Sequence, residues 1–289
     1  MTNGSGMTDQ PEIGARTIRP SSLVTAQDCG ARWAARHYAA AITDAGYHLH
    51  GTPVLHVGAA VGSGVHAGAA FTLEAKRTTG ELGNATEAED RAVAEFQDRA
   101  QFGVSWDATT DGLPTAQKQL ARMTRSFRRH LAPALNVLQV ETRLTADAGN
   151  GWEVSGQVDM LCGDPDSVIE DLKTGHSRRA NGAQYGAYAS VWRAHGYQVQ
   201  GVRENFLARV KLDKEQPPPE RHDVDLVPAM QQAREVIEDI MRQVAEFDRR
   251  VVAGDRPPHL AFRANPASQL CSARFCPAWG TDFCTAHRR

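Results

Sequence analysis

The chain has 289 residues, 41% of them hydrophobic, and carries 32 basic against 34 acidic side chains for a net charge of −2. That supports a sizeable core of ordinary globular composition and gives no global basic field, so any nucleic-acid contact must come from a local patch. No apolar run approaches the roughly 18 residues of a membrane span and no secretory signal opens the chain. A cytoplasmic protein without membrane contact is expected, and in that compartment five cysteines read as metal-binding or free rather than disulfide-bonded.

Taken in order, residues 1–16 are polar and Gly-rich and read as a disordered tail. Residues 17–135 read as a helical region. A helix is predicted from the Pro20-Ser21-Ser22 start to about Tyr47, and another after the Gly-rich stretch Gly58–His66, with His66 near its start. Two more are predicted over Thr86–Gln101 and Thr115–Leu131. Residues 136–215 change character. Val137–Thr145, Trp152–Cys162 and Val168–Leu172 are short, rich in β-branched residues and separated by turn signals, which predicts three antiparallel strands. A helix over Gly182–His195 and a strand or strand pair within Gln198–Leu212 follow. Residues 216–289 begin at the triple proline Pro217–Pro219, continue through a long helix from Val227 to about Val252, and end in an irregular cysteine-rich tail. The regions read as one integrated domain.

The stretch with most chemical content runs from Asp159 to Lys173. Adjacent antiparallel strands set Asp159 beside Asp171, and Lys173, two residues on, shares the face of Asp171. Glu170 points to the opposite face. Paired carboxylates suit a hard divalent cation, and a lysine beside them can orient a water, the needs of phosphodiester hydrolysis.

Gly156-x-x-Asp159 followed by Asp171-x-Lys173-Thr174-Gly175 resembles motifs II and III of the PD-(D/E)xK nuclease superfamily in its RecB-like branch. Gln184-Tyr185-Gly186-Ala187-Tyr188 resembles that branch's Gln-x-x-x-Tyr motif, and Gly62–His66 its helical histidine. The resemblance implies an α/β, restriction-endonuclease-like core, a mixed central sheet flanked by helices, with an N-terminal helical layer and a cysteine-rich tail. It implies that His66, Asp159, Asp171 and the backbone carbonyl of Leu172 hold Mg²⁺ or Mn²⁺, with Asp159, Asp171 and Lys173 as the catalytic set. Gln184 and Tyr188, four apart on one helix face, would hold a phosphate or support the site. Glu141 resembles a commonly acidic position of the family, with a solvent-facing strand charge as the other reading.

Cys29 together with Cys271, Cys276 and Cys284 resembles the arrangement in iron–sulfur exonucleases of the same branch, among them the CRISPR-associated adaptation nucleases. This implies a [4Fe–4S] cluster tying the two ends of the chain together. Four and seven residues separate the tail cysteines, wider than that family's usual spacing. Structural Zn²⁺ and free cysteines stay open as alternatives, and Cys162 reads as a small buried hydrophobe. Trp106 and Trp192 read as packing residues. The implied substrate is DNA, single-stranded or with free ends, with a helicase or a recombination or integration protein as the implied partner. Two rivals stand beside an exonuclease: a non-catalytic DNA- or partner-binding module of the same fold, and a zinc-bound structural protein.

Overall fold

One strand, β5 (Trp152–Cys162), organises the molecule; the computed structural model describes residues 16–163, 167–179, 181–254, 257–284 and 286. Apart from Arg16, the expected N-terminal tail lies outside the described residues, as does most of the turn at 163–166. Strand β4 (Val137–Gly149) pairs antiparallel with β5 along nearly its whole length, occupying one edge. A strand has two edges, so the remaining partners share the other. There β1 (Arg16–Ile18) runs parallel to Trp152–Val154, and β6 (Ser167–Gly175) antiparallel to Met160–Cys162. Between them, over residues 155–159, this edge of β5 has no ladder partner among the described residues, and a notch opens in the sheet. Strand β7 (Val199–Ala208) continues the sheet parallel to β6, and β8 (Glu220–Val224) closes it antiparallel to β7.

Helices cover both faces. On one, α4 (Val57–Thr79), α5 (Ala85–Ala100) and α6 (Leu113–His130) bury Val61, Val65, Leu120 and Phe127 against Met160 and Leu172. On the other, Tyr185 and Trp192 of α7 (Gly182–Ala194) pack with Val158, Leu161 and Ile169, and α8 (Leu226–Ala253) lies along α7. This is the mixed, helix-flanked sheet expected from the sequence. Among the described residues no helix is long and apolar enough to cross a membrane.

Three local readings need correction. The helix expected up to Tyr47 is instead β1, a 3-10 turn at Pro20–Ser22, and three short helices, α1 (Leu23–Asp28), α2 (Gly30–His37) and α3 (Ala39–Asp44). The chain breaks at Cys29, which is extended (φ −158°). The backbone groups freed there are taken by the C-terminal tail: Ala31 N–H donates to the Arg263 carbonyl and Asn265 Nδ2 to the Asp28 carbonyl. The Gly-rich stretch expected before α4 forms its first turns. Glycine costs about 1 kcal/mol relative to alanine in a helix, but here it permits close approach. A Cβ on Gly64 would lie 2.5 Å from the Ala92 carbonyl oxygen of α5, and one on Gly62 2.7 Å from Thr174 Oγ1 of β6. Finally, β8 and the parallel two-stranded sheet of β2 (Leu55–His56) and β3 (Val104–Ser105) were not anticipated, being too short or too polar to show a pattern.

Candidate active site

Asp159 stands where β5 parts from β6. The register continued from Met160↔Glu170 sets it beside Asp171, and the register on either side, Val140↔Met160 and Thr142↔Val158, sets it opposite Glu141. A row across three strands therefore brings three carboxylates together. His66, in the third turn of α4, adds an imidazole, its Nδ1 3.1 Å from Asp159 Oδ1. Ligand atoms of His66, Glu141 and Asp159 all lie within 4.8 Å of one another. Because the ladder has ended, the N–H of Leu172 donates to Asp159 Oδ2 at 2.7 Å instead of to a strand. A strand residue projects its N–H and C=O toward the same edge, so the Leu172 carbonyl also faces the notch. Glu141 has φ +46°, the left-handed region that non-glycine residues seldom occupy, a strain of about 1–3 kcal/mol placed where its carboxylate meets Asp159.

Lys173 Nζ forms an ion pair with Asp171 Oδ2 at 2.6 Å and lies 5.7 Å from the centroid of the Tyr185 ring. Glu170 faces away, bound by Arg203, Asn205 and Arg221. Of the two adjacent acids, only Asp171 joins the site.

The charges perturb one another. Burial pushes Asp171 up to about 6, Lys173 opposing the rise and Asp159 adding to it. Burial also raises Glu141, again with help from Asp159. For Asp159 burial would do the same, but His66 and Lys173 hold it below its ordinary value. Burial would depress His66, yet the Asp159 charge overrides this and lifts it to about 9. Lys173, against the pull of burial, is held cationic by Asp171 and Asp159. An ionised Asp159 beside Glu141 and Asp171, both of which resist ionising next to it, with an imidazole and a carbonyl, forms a donor set suited to a hard divalent cation.

Gln184 and Tyr188 do meet, Gln184 Nε2 donating to the Tyr188 hydroxyl at 3.0 Å, but both are buried behind the carboxylates. The Tyr188 ring lies against Gly156, where a Cβ would come within 3.0 Å. The two residues brace the notch from the α7 side. Sequence reasoning missed a second brace. Glu204 of β7, paired with Asp171 and fully buried, accepts from Arg178 Nε at 2.5 Å and from the Tyr185 hydroxyl. Its signal was an acid inside a strand-like run leading to Phe206 and Leu207.

The notch opens into a groove of about 1070 Å³, which runs from Glu141, Leu172 and Lys173 past the first turns of α4 to His56, His176 and Arg209. Away from it, Cys29, Cys276 and Cys284 are buried in one core with Trp33, Phe262 and Phe283. Burial raises the thiols of Cys271 and Cys276, and the nearby Cys29 and Cys284 add to both shifts. Three of the four cysteines picked from the sequence thus share a core, and half-buried Cys271 lies within electrostatic reach of Cys29 and Cys284. Cys162 lies apart in the α4-side core, pushed up to about 12 by burial. Trp192 is buried as expected, whereas Trp106 is 40% exposed and leans on Phe96.

Residues 17–281 match the sequence pattern of the PD-(D/E)XK nuclease superfamily. The chain belongs to that superfamily. The matched span includes His66, Glu141, Asp159, Asp171 and Lys173. Among solved structures, a candidate exonuclease from Eubacterium rectale is similar with a TM-score of 0.54 over 93% of each chain at 12% identity, a likeness of fold. The alkaline exonuclease LHK-Exo from Laribacter hongkongensis gives a TM-score of 0.31 over 68% of this chain and 97% of that one, at 11% identity. No curated protein matches the sequence.

Proposed function

We propose that this PD-(D/E)XK protein is a Mg²⁺- or Mn²⁺-dependent deoxyribonuclease acting on free or single-stranded DNA ends. The observation that carries the reading is the row Glu141, Asp159 and Asp171 with His66 and Lys173 at the break in the sheet. His66, Glu141, Asp159, Asp171 and the Leu172 carbonyl would hold the cation, which supplies charge neutralisation at the phosphate and a more acidic bound water. Lys173, steadied by Asp171 and the Tyr185 ring, orients the attacking water and offsets the negative charge growing on the phosphate oxygens. Asp159 fixes the His66 ring, and the Gln184–Tyr188 and Glu204–Tyr185 contacts keep the carboxylate row from shifting. End-directed action draws on the description of the Eubacterium rectale protein as an exonuclease. A helicase or a recombination or integration partner in the cytoplasm is the setting this activity fits.

For Cys29, Cys271, Cys276 and Cys284 we propose a [4Fe–4S] cluster, with Zn²⁺ as the competing occupant. The support is that Cys29, Cys276 and Cys284 share one core with Cys271 within electrostatic reach, and thiols are soft donors suited to either occupant. Iron with acid-labile sulfide in anaerobically purified protein supports the cluster, and zinc alone replaces it.

The deciding experiment is degradation of end-labelled single- and double-stranded DNA with Mg²⁺ or Mn²⁺, with Lys173→Ala as control. Release of label by the wild type but not by the variant establishes the chemistry. DNA binding without degradation under either metal would leave a non-catalytic module.

A further inference from the structure

The cysteine corner contains a buried cation whose donors are not all taken. Arg32, in the first turn of α2, is only 2% exposed. Its Nη2 donates to Asp28 Oδ2 and its Nη1 to the Ser268 hydroxyl at 3.1 Å. Its Nε is buried with no hydrogen-bond partner among the described residues, an omission that costs about 1–3 kcal/mol. An exposed Arg–Asp pair would tie the same segments together without that cost.

The guanidinium sits among the residues that carry sulfur. Cys29, at the N-cap of α2, precedes Arg32 by three residues, one helical turn. Ser268 also accepts the Cys271 N–H on its carbonyl at 2.9 Å, so Arg32 holds the turn that bears Cys271. Arg36, one turn further along α2, donates from Nη2 to the Phe275 carbonyl at 2.6 Å, next to Cys276. Burial raises the Cys271 and Cys276 thiols, and the Arg32 charge opposes the rise in both. One side of α2 thus presents a thiol and two guanidinium groups to the two tail turns.

Neutral thiols make little use of such a cation, because sulfur in that form is a weak acceptor. Metal-bound cysteine is different. It ligates as thiolate, and four thiolates outweigh the charge of a zinc ion or of a cluster core. In this corner the excess negative charge is buried, where an unpaired charge is costly. We infer that Arg32 is the counter-cation of a metal–thiolate centre here, fixing the Cys271 turn and offering its charge and Nε–H to the bound sulfurs. The inference rests on the metal reading of the four cysteines above and applies to iron–sulfur and zinc alike. Arg32 touches no substrate and acts as a positioning residue.

The test uses full-length protein purified anaerobically, with iron, acid-labile sulfide and zinc measured first. Metal release is then followed with bathophenanthroline for iron or pyridylazoresorcinol for zinc. Arg32→Gln should release metal about tenfold faster than wild type, as loss of a group supporting metal ligands does. Arg32→Lys keeps the charge but not the Nε–H, and should be about threefold faster. Asp28→Asn removes the other half of the ion pair and leaves the cation, so its release should be no faster than wild type. A cation that serves only its carboxylate would instead give Asp28→Asn and Arg32→Gln the same acceleration. If the glutamine variant does not fold, the lysine and asparagine variants carry the same contrast. With iron bound, Arg32→Gln should also lower the reduction potential, since removing a positive charge disfavours the added electron. Equal release from all four proteins, or equal acceleration in Asp28→Asn and the Arg32 variants, overturns the inference and leaves the metal reading standing. A wild type that holds neither iron nor zinc overturns both.

Discussion

The notch and the cysteine corner both hold side chains of types able to ligate a metal, but they hold them by opposite means. At the notch, like charges converge: Glu141 and Asp171 are both raised, and Glu141 is held at positive φ. In the corner, the buried thiols lie among Trp33, Phe247, Phe262 and Phe283, with ring centroids 5.5 Å apart for Phe247–Phe262 and 5.9 Å for Phe262–Phe283. A neutral buried thiol packs as a small hydrophobe, whereas a buried carboxylate beside another does not. The notch is therefore poised against its own charge until a cation arrives, while the corner remains a core with or without one.

The largest effects should separate the two regions by sign. Asp171→Asn should lower nuclease activity about a hundred- to a thousandfold, as losing a charge aimed at the transition state does. It should also raise the melting temperature of the metal-free protein above pH 6, since an ionised group raised from 3.8 to about 6 opposes folding there. Cys276→Ser should do the reverse, placing a hydroxyl in an apolar corner at a cost of about 1–3 kcal/mol. It should also lower bound iron or zinc while leaving Mg²⁺ binding at the notch intact. Thermal unfolding with metal analysis and a cleavage assay reads all of these. A destabilised Asp171→Asn protein would show that the carboxylate row holds the sheet together rather than straining it.

The two regions also differed in how far the sequence exposed them. The notch acids sit on strands whose β-branched runs and turn signals fix the register, so the placement of Asp159 beside Asp171 was legible by counting, while their proposed role came from the family resemblance. Glu141 was less so, because its role depends on a left-handed residue that a strand pattern does not announce. The Gly-rich start of α4 falls outside the expected helix because glycine's poor helix propensity is visible in sequence, whereas the Ala92 carbonyl that demands it is not. The bracing Glu204 and the Asp107–Arg209 network join segments 19 and 102 residues apart, beyond any local spacing rule. β8, five residues on a polar edge, gave no alternation to read.

Acidity offers a finer contrast. His66 is raised from 6.5 to about 9 by Asp159, so the metal-free protein gains from this contact below pH 6.5 and loses it as pH rises through 9. The full difference is on the order of 3 kcal/mol. A divalent cation must displace that proton, so its apparent affinity should climb up to about tenfold per pH unit between 7 and 9. Melting curves across this range should thus fall with pH in EDTA and gain increasingly from saturating Mg²⁺. Parallel curves would remove His66 from the cation site.

Helix α4 links its end of the notch to the rest of the fold through its glycines. Gly64→Ala would drive a Cβ to 2.5 Å from the Ala92 carbonyl oxygen, a backbone atom that cannot swing aside. We expect a loss of about 1–3 kcal/mol in chemical denaturation, with lower Mg²⁺ affinity as His66 shifts and no change in metal at the cysteines.

The smallest effect belongs to Tyr185, whose two ends do different work. Its ring lies under the Lys173 ammonium and its hydroxyl donates to the buried Glu204. Tyr185→Phe keeps the ring and removes a donor from a buried carboxylate, so stability should drop by about 1–3 kcal/mol while kcat stays within about twofold. Tyr185→Leu also removes the aromatic face, worth about 0.5–1 kcal/mol to a neighbouring cation. Its kcat should fall a further two- to fivefold at unchanged KM, because Lys173 is then less well held where charge develops. Equal kcat for the two variants would mean that Asp171 alone positions the lysine, and that the row of acids needs no support from α7 to do its chemistry.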